Sequence, residues 1–192
     1  MRRLIVLLAG WFALTPAFAA TSTTAGSSAN YEIEVLAFEL QFPEWDGSEL
    51  WTRAPRAVDP TAIAVEGLPP SPDFAAAATA MRSDGRFRVL LHKRWTQSAE
   101  SKSNGPPVQL QSSDNDLNGT IKFYLARFLH LELNVSYQPR GGAIGAAPAA
   151  TGTAENAPSY AISEQRRVKS NEINYFDHPK FGVLVRVTPS SG

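Results

Sequence analysis

The sequence predicts an α+β domain, in which an antiparallel β-sheet has one face packed by a helix near residues 72–82 and long irregular loops join the elements. Three observations lead to this fold class. Several segments alternate apolar and polar residues with the period of two that half-buried strands show. A single segment carries strong helix signals. The connections between the last strands are short, which favours antiparallel pairing.

The first two predicted strands lie on either side of that helix. The segment YEIEVLAFEL starts at Tyr31 and alternates apolar side chains with Glu32 and Glu34. The segment RFRVLLHKRW would place its larger apolar residues on one face, namely Phe87, Val89, Leu91 and Trp95. Its other face would be basic, with Arg86, Arg88, His92 and Arg94. Residues 98–116 are polar and contain glycine and proline, so we predict a loop there.

The helix signal is the segment SPDFAAAATAMRSDG. Ser71 is a typical N-cap, whose side chain can accept from a free N–H group of the first turn. Pro72 is tolerated at the first helical position, and Asp73 suits the positive end of the helix dipole. The alanines cost little to hold in a helix, and Gly85 marks its end.

The second half of the chain predicts five more strands. LNGTIKFYL and FLHLELNVSY alternate clearly and would form a hairpin whose turn lies near Ala126 and Arg127. Three further strands follow near residues 160–168, 172–176 and 182–188. With the two strands of the first half, the predicted order is strand, helix and then six strands.

The chain divides into an export signal, a tether and one domain. Residues 1–19 have a basic start, an apolar run and a small-x-small end, which together predict a secretory signal peptide cleaved near Ala19. Residues 20–30 read as a flexible tether, and residues 31–189 as a single domain. Within it, residues 139–158 are rich in alanine, glycine and proline, so we predict a mobile loop.

Composition narrows the function classes. Removal of the signal's two arginines leaves 16 basic and 18 acidic residues, a net charge of −2, which argues against nucleic acid as a partner. The chain has no cysteine, so neither a disulfide nor a thiol nucleophile is available. After the signal, no apolar run approaches the length of a membrane span, and we expect none in the mature chain.

Catalytic and metal sites are weakly indicated. The three histidines, His92, His130 and His178, have no HxH or HxxxH spacing, so a zinc site would need ligands from distant strands. Asp177 and His178 look like a catalytic pair, but neighbours in an extended chain point to opposite sides. There is no G-x-S-x-G elbow and no spacing that selects two carboxylates.

The stretch around Asp177 favours a structural interpretation instead. Asp177 can accept from backbone N–H groups, Pro179 presets a turn φ, and Gly182 is conformationally free. We therefore predict a hairpin that turns between Asp177 and Phe181.

Aromatic and basic residues suggest recognition of a polymer. Trp45, Trp51 and Trp95 could stack on sugar rings, although packing roles are the simpler interpretation of each. The basic face of the second strand, together with Arg166 and Arg167, could meet an anionic polymer. It could equally be a solvated face that is paired with glutamates.

Four segments resemble a known family. They are YEIEVLAFE, FRVLLHKRWTQ, LNGTIKFYLARFLHLELNV and RRVKSNEINYFDHPKFGVLVRVTP, in this order after a signal peptide. This pattern is similar to the CsiV family of bacterial periplasmic peptidoglycan-binding proteins, and its closing part is the most specific. Asn174 is a departure, since the family pattern usually has histidine before Tyr-Phe.

The resemblance implies a periplasmic, non-enzymatic adaptor that supports wall assembly and cell shape. It implies two partners, peptidoglycan and an outer-membrane lipoprotein that activates a class A penicillin-binding protein, and no cofactor or metal. No catalytic residues come with the family. The alternatives are a protein-interaction module that docks by a sheet edge, and a cell-wall hydrolase. The candidate ligand-binding residues are Arg166, Arg167, Tyr175, Asp177, His178, Arg94 and Trp95.

Overall fold

The computed structural model describes residues 29–41, 58–139 and 159–190. The predicted signal peptide, nearly all of the tether and most of the predicted mobile loop lie outside these residues. Trp45 and Trp51 also lie outside them.

Eight strands and one helix follow one another along the described residues. They are β1 (Asn30–Leu40), α1 (Pro72–Ser83), β2 (Phe87–Ser98), β3 (Pro107–Gln111), β4 (Leu117–Leu125), β5 (Leu129–Tyr137), β6 (Tyr160–Val168), β7 (Ile173–His178) and β8 (Phe181–Pro189). Sheet A has the strand order β2-β1-β8-β7, and sheet B has the order β3-β4-β5-β6. All ladders within the sheets are antiparallel, so the predicted antiparallel α+β class is confirmed.

The main core lies between the two sheets. Alternate residues of the central strands point into it and are almost fully buried. They include Ile33, Val35 and Ala37 of β1, Leu131, Leu133 and Val135 of β5, and Val183, Val185 and Val187 of β8. Sheet B therefore covers the face of sheet A that α1 leaves open, a second layer that the strand patterns did not indicate.

Helix α1 packs on the outer face of sheet A, as predicted. Its buried residues Phe74 and Ala78 contact Leu36 of β1, and partly buried Val89 and Leu184 complete this smaller cluster. The helix runs from Pro72 to Ser83, close to the predicted range. The prediction of a Ser71 cap is wrong in its chemistry, because the Ser71 side chain bonds to Glu34 of the sheet and not to the helix.

A β-bulge corrects the predicted faces of β2. The register between β1 and β2 shifts between Ala37 and Phe38, where one extra residue enters β2. Val89 therefore packs under the helix, while Leu91 and Trp95 belong to the core between the sheets. The predicted basic face is divided in the same way, because a one-residue shift moves side chains to the opposite face.

The predicted loop at residues 98–116 contains strand β3 and is corrected accordingly. Val108 and Leu110 of β3 are fully buried and pair with β4. Ile63, which precedes α1 in the chain, forms an isolated parallel bridge to Val108. The segment around Ile63 therefore runs along the outer edge of β3. The alternating pattern here has only two apolar residues and begins next to a proline. Such a short pattern does not distinguish a strand from a loop.

Both predicted hairpins are present. Strands β4 and β5 pair up to Leu125 and Leu129, with the predicted turn between them. Strands β7 and β8 pair up to His178 and Phe181, so the turn is shorter than predicted and leaves Asp177 and His178 inside β7.

Candidate functional site

Asp177 and His178 lie on opposite faces of β7. Asp177 is exposed and its Oδ1 accepts a hydrogen bond of 2.7 Å from the Tyr175 hydroxyl. The His178 ring is 2% exposed, and its Nδ1 accepts from the Lys180 N–H at 3.1 Å. Burial lowers the pKa of His178, against an opposing effect of the Asp177 charge. The two side chains therefore do not form a dyad.

Arg166 joins the two sheets at one corner of the sandwich. Its guanidinium donates to the Tyr175 carbonyl at 2.9 Å and lies 4.1 Å from the centre of the Phe176 ring. It also forms an ion pair with Glu164. Tyr175 stacks on Phe38 with ring centres 6.3 Å apart. Burial and the hydrogen bond to Asp177 raise the Tyr175 pKa.

Arg167 points the other way, to the β4–β5 turn. Its guanidinium lies 3.5 Å from the centre of the Phe128 ring, and Arg127 lies 5.5 Å from the same centre. Phe128 is 38% exposed, and neighbouring Leu125 is 40% exposed. We call these four residues the cationic tip. They combine accessible apolar surface with two positive charges.

The remaining two predicted residues, Arg94 and Trp95, also lie on opposite faces of their strand. Trp95 is 1% exposed in the main core, and its indole N–H donates to Gln97 at 3.1 Å. Its ring is therefore not available for surface stacking. Arg94 lies on the helix side of sheet A, where it pairs with Glu32 and donates to the Pro69 carbonyl at 2.9 Å.

A buried polar network surrounds Glu34 beside the first turn of α1. The Glu34 carboxylate accepts from the Ser71 N–H at 2.9 Å, from the Ser71 hydroxyl at 2.5 Å and from Arg186 at 3.4 Å. It is also 2.9 Å from Nε2 of His92. Burial acts to raise the Glu34 pKa, but the hydrogen bonds from Ser71 and His92 outweigh it and the net shift is downward. Glu34 is therefore held ionised.

This network forms one wall of a surface pocket of about 240 Å³. The pocket is lined by Glu32, Glu34, Ser71, Arg94, Asn171, Arg186 and Thr188. The strand register explains the arrangement, because Arg94 and Arg186 both lie opposite Glu34 on the flanking strands. We call this site the α1 pocket. Arg94 is the only one of the seven predicted site residues that lines it.

The outer face of sheet B presents a second candidate surface. Among the described residues no helix packs on it, since α1 lies on sheet A. Its accessible outward side chains, which alternate with core residues, are Gln109, Gln111, Asn118, Lys122, His130, Glu132, Asn134, Ser136, Ser163, Gln165 and Arg167. Thr120 and Tyr124 lie on the same face but are buried. We call this surface the open face. Five of these side chains are amides, and Arg167 links the open face to the cationic tip.

Hydrogen bonds between neighbours hold the open face in place. Ser163 donates to Asn134 at 2.7 Å, and Lys102 donates to Gln165 at 3.0 Å. The Oδ1 atom of Asn118 is buried and has no hydrogen-bond partner among the described residues. An acceptor that is buried in this way can receive a hydrogen bond from an internal water but not from a ligand on the sheet surface.

Arg166 and Tyr175, both predicted as site residues, lie in contact, whereas most residues of the α1 pocket and of the open face were not predicted. Ser71, Glu34 and Arg186 meet only because β1, β8 and the start of α1 converge, and nothing in their spacing along the sequence indicates this contact. The open face had a usable signal, since its residues are the polar half of the alternating patterns in β4, β5 and β6.

No group of three or more His, Asp or Glu side chains among the described residues is arranged to hold a metal ion. No helix found there is long and apolar enough to cross a membrane.

Comparison with known proteins gives one match. Residues 68–190 match the family described as "Peptidoglycan-binding protein, CsiV". Comparison with curated proteins and with solved structures gave no match. The matched residues cover more than half of the chain, including α1 and seven of the eight described strands. The chain therefore belongs to the CsiV family of peptidoglycan-binding proteins.

Proposed function

We propose that this protein is a periplasmic adaptor that binds peptidoglycan without chemically altering it. The observation that carries this proposal is the open face of sheet B, a broad polar sheet surface that no described helix covers. Membership of a peptidoglycan-binding family supports the ligand, and the export signal predicted in the sequence supports the compartment.

The chemistry of the open face suits a glycan strand. Amide side chains offer both donors and acceptors, which match sugar hydroxyls and N-acetyl groups. Because neighbouring strands lie about 4.8 Å apart, rows of these groups recur at regular spacing along an extended polymer.

The cationic tip would contact the acidic groups of the polymer. Arg127 and Arg167 both lie close to the exposed ring of Phe128. Together the three side chains present positive charge next to apolar surface. Peptidoglycan carries carboxylates on its stem peptides, so attraction to these arginines would add to the contacts of the open face. The attraction between exposed charges is screened by salt, and binding should weaken as ionic strength rises.

Co-sedimentation with purified sacculi tests this proposal. We expect the mature protein to pellet with sacculi at low salt. The double variant Arg127→Ala/Arg167→Ala should bind about tenfold more weakly, which corresponds to about 1.4 kcal/mol from two exposed cations and their ring contacts. Gln165→Ala should weaken binding separately, because it removes an exposed amide of the open face.

A matched control is available on the other side of the molecule. Arg82→Ala/Arg86→Ala removes the same charge from the last turn of α1 and from the residue before β2. This double variant should leave binding unchanged. Failure of the wild-type protein to pellet would refute peptidoglycan binding by this chain. Equal loss in both double variants would show that net charge, and not the open face, is responsible.

The finer role that we propose is support of wall assembly and cell shape through an outer-membrane lipoprotein activator of a class A penicillin-binding protein. The test is glycan polymerisation by the purified synthase and lipoprotein. We expect addition of this protein to raise the polymerisation rate only when the lipoprotein is present. An unchanged rate would refute the link, and release of muropeptides from sacculi by this protein alone would refute an adaptor role.

A further inference from the structure

The α1 pocket is a concave site that the proposed glycan-binding surface does not use. Its lining combines two carboxylates, Glu32 and Glu34, with two guanidinium groups, Arg94 and Arg186. Opposite charges in equal number suit a ligand that carries both charges at once. An anion or a cation alone would meet as much repulsion as attraction.

The pocket is preorganised by the sheet and the helix. Arg94 and Arg186 lie opposite Glu34 on the two flanking strands, so their Cα atoms are about 10 Å apart across β1. Ser71 receives a 2.6 Å hydrogen bond from Arg186 and donates to Glu34, which ties the start of α1 to the sheet. Side chains held in this way lose little freedom when a ligand binds.

Arg186 can bind a ligand carboxylate with little loss of its existing contacts. Its NH1 group donates at 3.0 Å to Asp73, whose side chain is 77% exposed. An exposed ion pair contributes little, so a ligand carboxylate can replace Asp73 at this nitrogen. The NH2 group stays bonded to Ser71 and Glu34, so Arg186 would donate one charge-assisted hydrogen bond to the ligand carboxylate, through NH1. The first turn of α1 adds a partial positive charge on the same side.

Glu32 is the matching partner for a ligand ammonium group. Its side chain is 28% exposed, in contrast to 4% for Glu34, so it is the accessible carboxylate of the pocket. Glu32 pairs with Arg94, whose side chain is 23% exposed. A bound zwitterion can lie between these two residues and Arg186 and so offset both signs of charge.

We propose that the α1 pocket binds an α-amino-acid zwitterion, presented by the free end of a diamino acid in an uncross-linked peptidoglycan stem peptide. This inference rests on the proposed function for the source of the ligand. In such a residue, one carbon carries both an ammonium and a carboxylate, while the other end of the residue stays in the stem. Cross-linking acylates that ammonium, so the pocket would distinguish uncross-linked from cross-linked wall.

Titration of the ¹⁵N-labelled mature protein with meso-diaminopimelate tests the pocket directly. We expect saturable shifts of the backbone amides of Glu32, Ser71, Asn171 and Arg186, with smaller or no shifts on sheet B. A diaminopimelate derivative acylated on both amino groups should bind at least tenfold more weakly, because it lacks the charge that Glu32 receives. Absence of shifts at the pocket, or equal binding of the acylated form, would overturn the proposal.

Variants provide a second test. Arg94→Gln should weaken diaminopimelate binding about tenfold or more, since it removes one of two cations from the pocket. The matched control Arg86→Gln changes an exposed arginine immediately before the same strand and should leave binding unchanged. If Arg94→Gln binds like the wild type while its circular dichroism spectrum is native, the proposal is wrong.

The source of the zwitterion is decided by a further ligand pair. A soluble muropeptide with an uncross-linked diamino acid should bind more tightly than L-alanine, and equal affinity would overturn the wall assignment. Failure here is distinct from failure of the proposed function. A protein that pellets with sacculi but shows no zwitterion binding would refute the pocket and leave the open face standing.

Discussion

The Glu34 network should anchor helix α1 to sheet A, and the substitution Glu34→Gln tests this. The Glu34 side chain is 4% exposed and receives hydrogen bonds from Ser71, His92 and Arg186. Glutamine keeps the shape but has one acceptor oxygen and one NH₂ group. The NH₂ group would face the donors from which the second carboxylate oxygen of Glu34 now accepts hydrogen bonds.

The expected cost follows from these contacts. One hydrogen bond from Ser71 can be kept, while the ion pair with Arg186 is lost and one donor is left facing another. Hydrogen bonds to charged groups contribute about 1.5–3 kcal/mol each, and removal of one partner of a buried pair costs about 3–5 kcal/mol. Because Arg186 keeps its bonds to Ser71 and Asp73, we expect a loss of about 2–4 kcal/mol in the free energy of unfolding.

Urea unfolding, followed by the fluorescence of buried Trp95, measures this loss at several pH values. The folded-state pKa of Glu34 lies below its unfolded value of 4.5. Its stabilising contribution is therefore fully present above pH 4.5 and is lost as the pH falls through the folded pKa. The difference between wild type and Glu34→Gln should shrink below that pH.

The control is Asp73→Asn, which makes the same chemical change at the exposed partner of Arg186. It should cost less than about 1 kcal/mol. If Glu34→Gln costs no more than Asp73→Asn, or if the difference from wild type does not shrink in acid, then the network does not anchor the helix through an ionised Glu34.

Two further predictions concern stability. A Cβ atom at Gly119 would lie 2.1 Å from the Asn134 carbonyl oxygen, so Gly119→Ala should destabilise the protein by about 1–3 kcal/mol or more in thermal unfolding. Gly67→Ala, where the nearest such atom is 4.0 Å away, is the control, and an equal effect of the two would contradict the reasoning. Burial lowers the folded-state pKa of His178, so the protein should lose stability as the pH falls from about 6.5 through that pKa. His178→Phe should remove this part of the pH dependence in urea unfolding, and an unchanged dependence would show that His178 does not cause it.

The elements that could be predicted from the sequence are those whose signals are local. The alternation in β4 and β5 and the alanine-rich segment of α1 each specify an element through their own side chains. The opposite orientation of Asp177 and His178 also follows from extended geometry alone. Strand β3 was not predicted, because Val108 and Leu110 alone are a weak pattern. Its strand structure depends on pairing with Ile63 and β4.

The faces of β2 show where local pattern stops being sufficient. Phe87, Val89, Leu91 and Trp95 look like one apolar stripe, but the bulge opposite Ala37 divides them between the helix side and the core. A bulge is a property of two paired strands, and one strand's sequence does not reveal it. The prediction of a single basic face on β2 is wrong for the same reason.

The candidate sites divide in the same way. Arg166 and Arg167 were predicted as neighbours in one patch, yet strand alternation sends Arg166 to β7 and Arg167 to Phe128. The α1 pocket joins residues more than 150 positions apart, such as Glu34 and Arg186. No spacing rule connects them, because their contact depends on which strands become neighbours.

By itself, the sequence determined most of the antiparallel strands, the single described helix, the β4–β5 and β7–β8 hairpins and the resemblance to a peptidoglycan-binding family. These depend on the periodicity of short segments and on motif order, which are properties of neighbouring residues. Only the tertiary structure decided that the strands form two sheets, which sheet face no described helix covers and which charges meet at the start of α1. Those features arise from pairing between distant strands, where burial of the apolar faces selects the arrangement and the polar side chains follow.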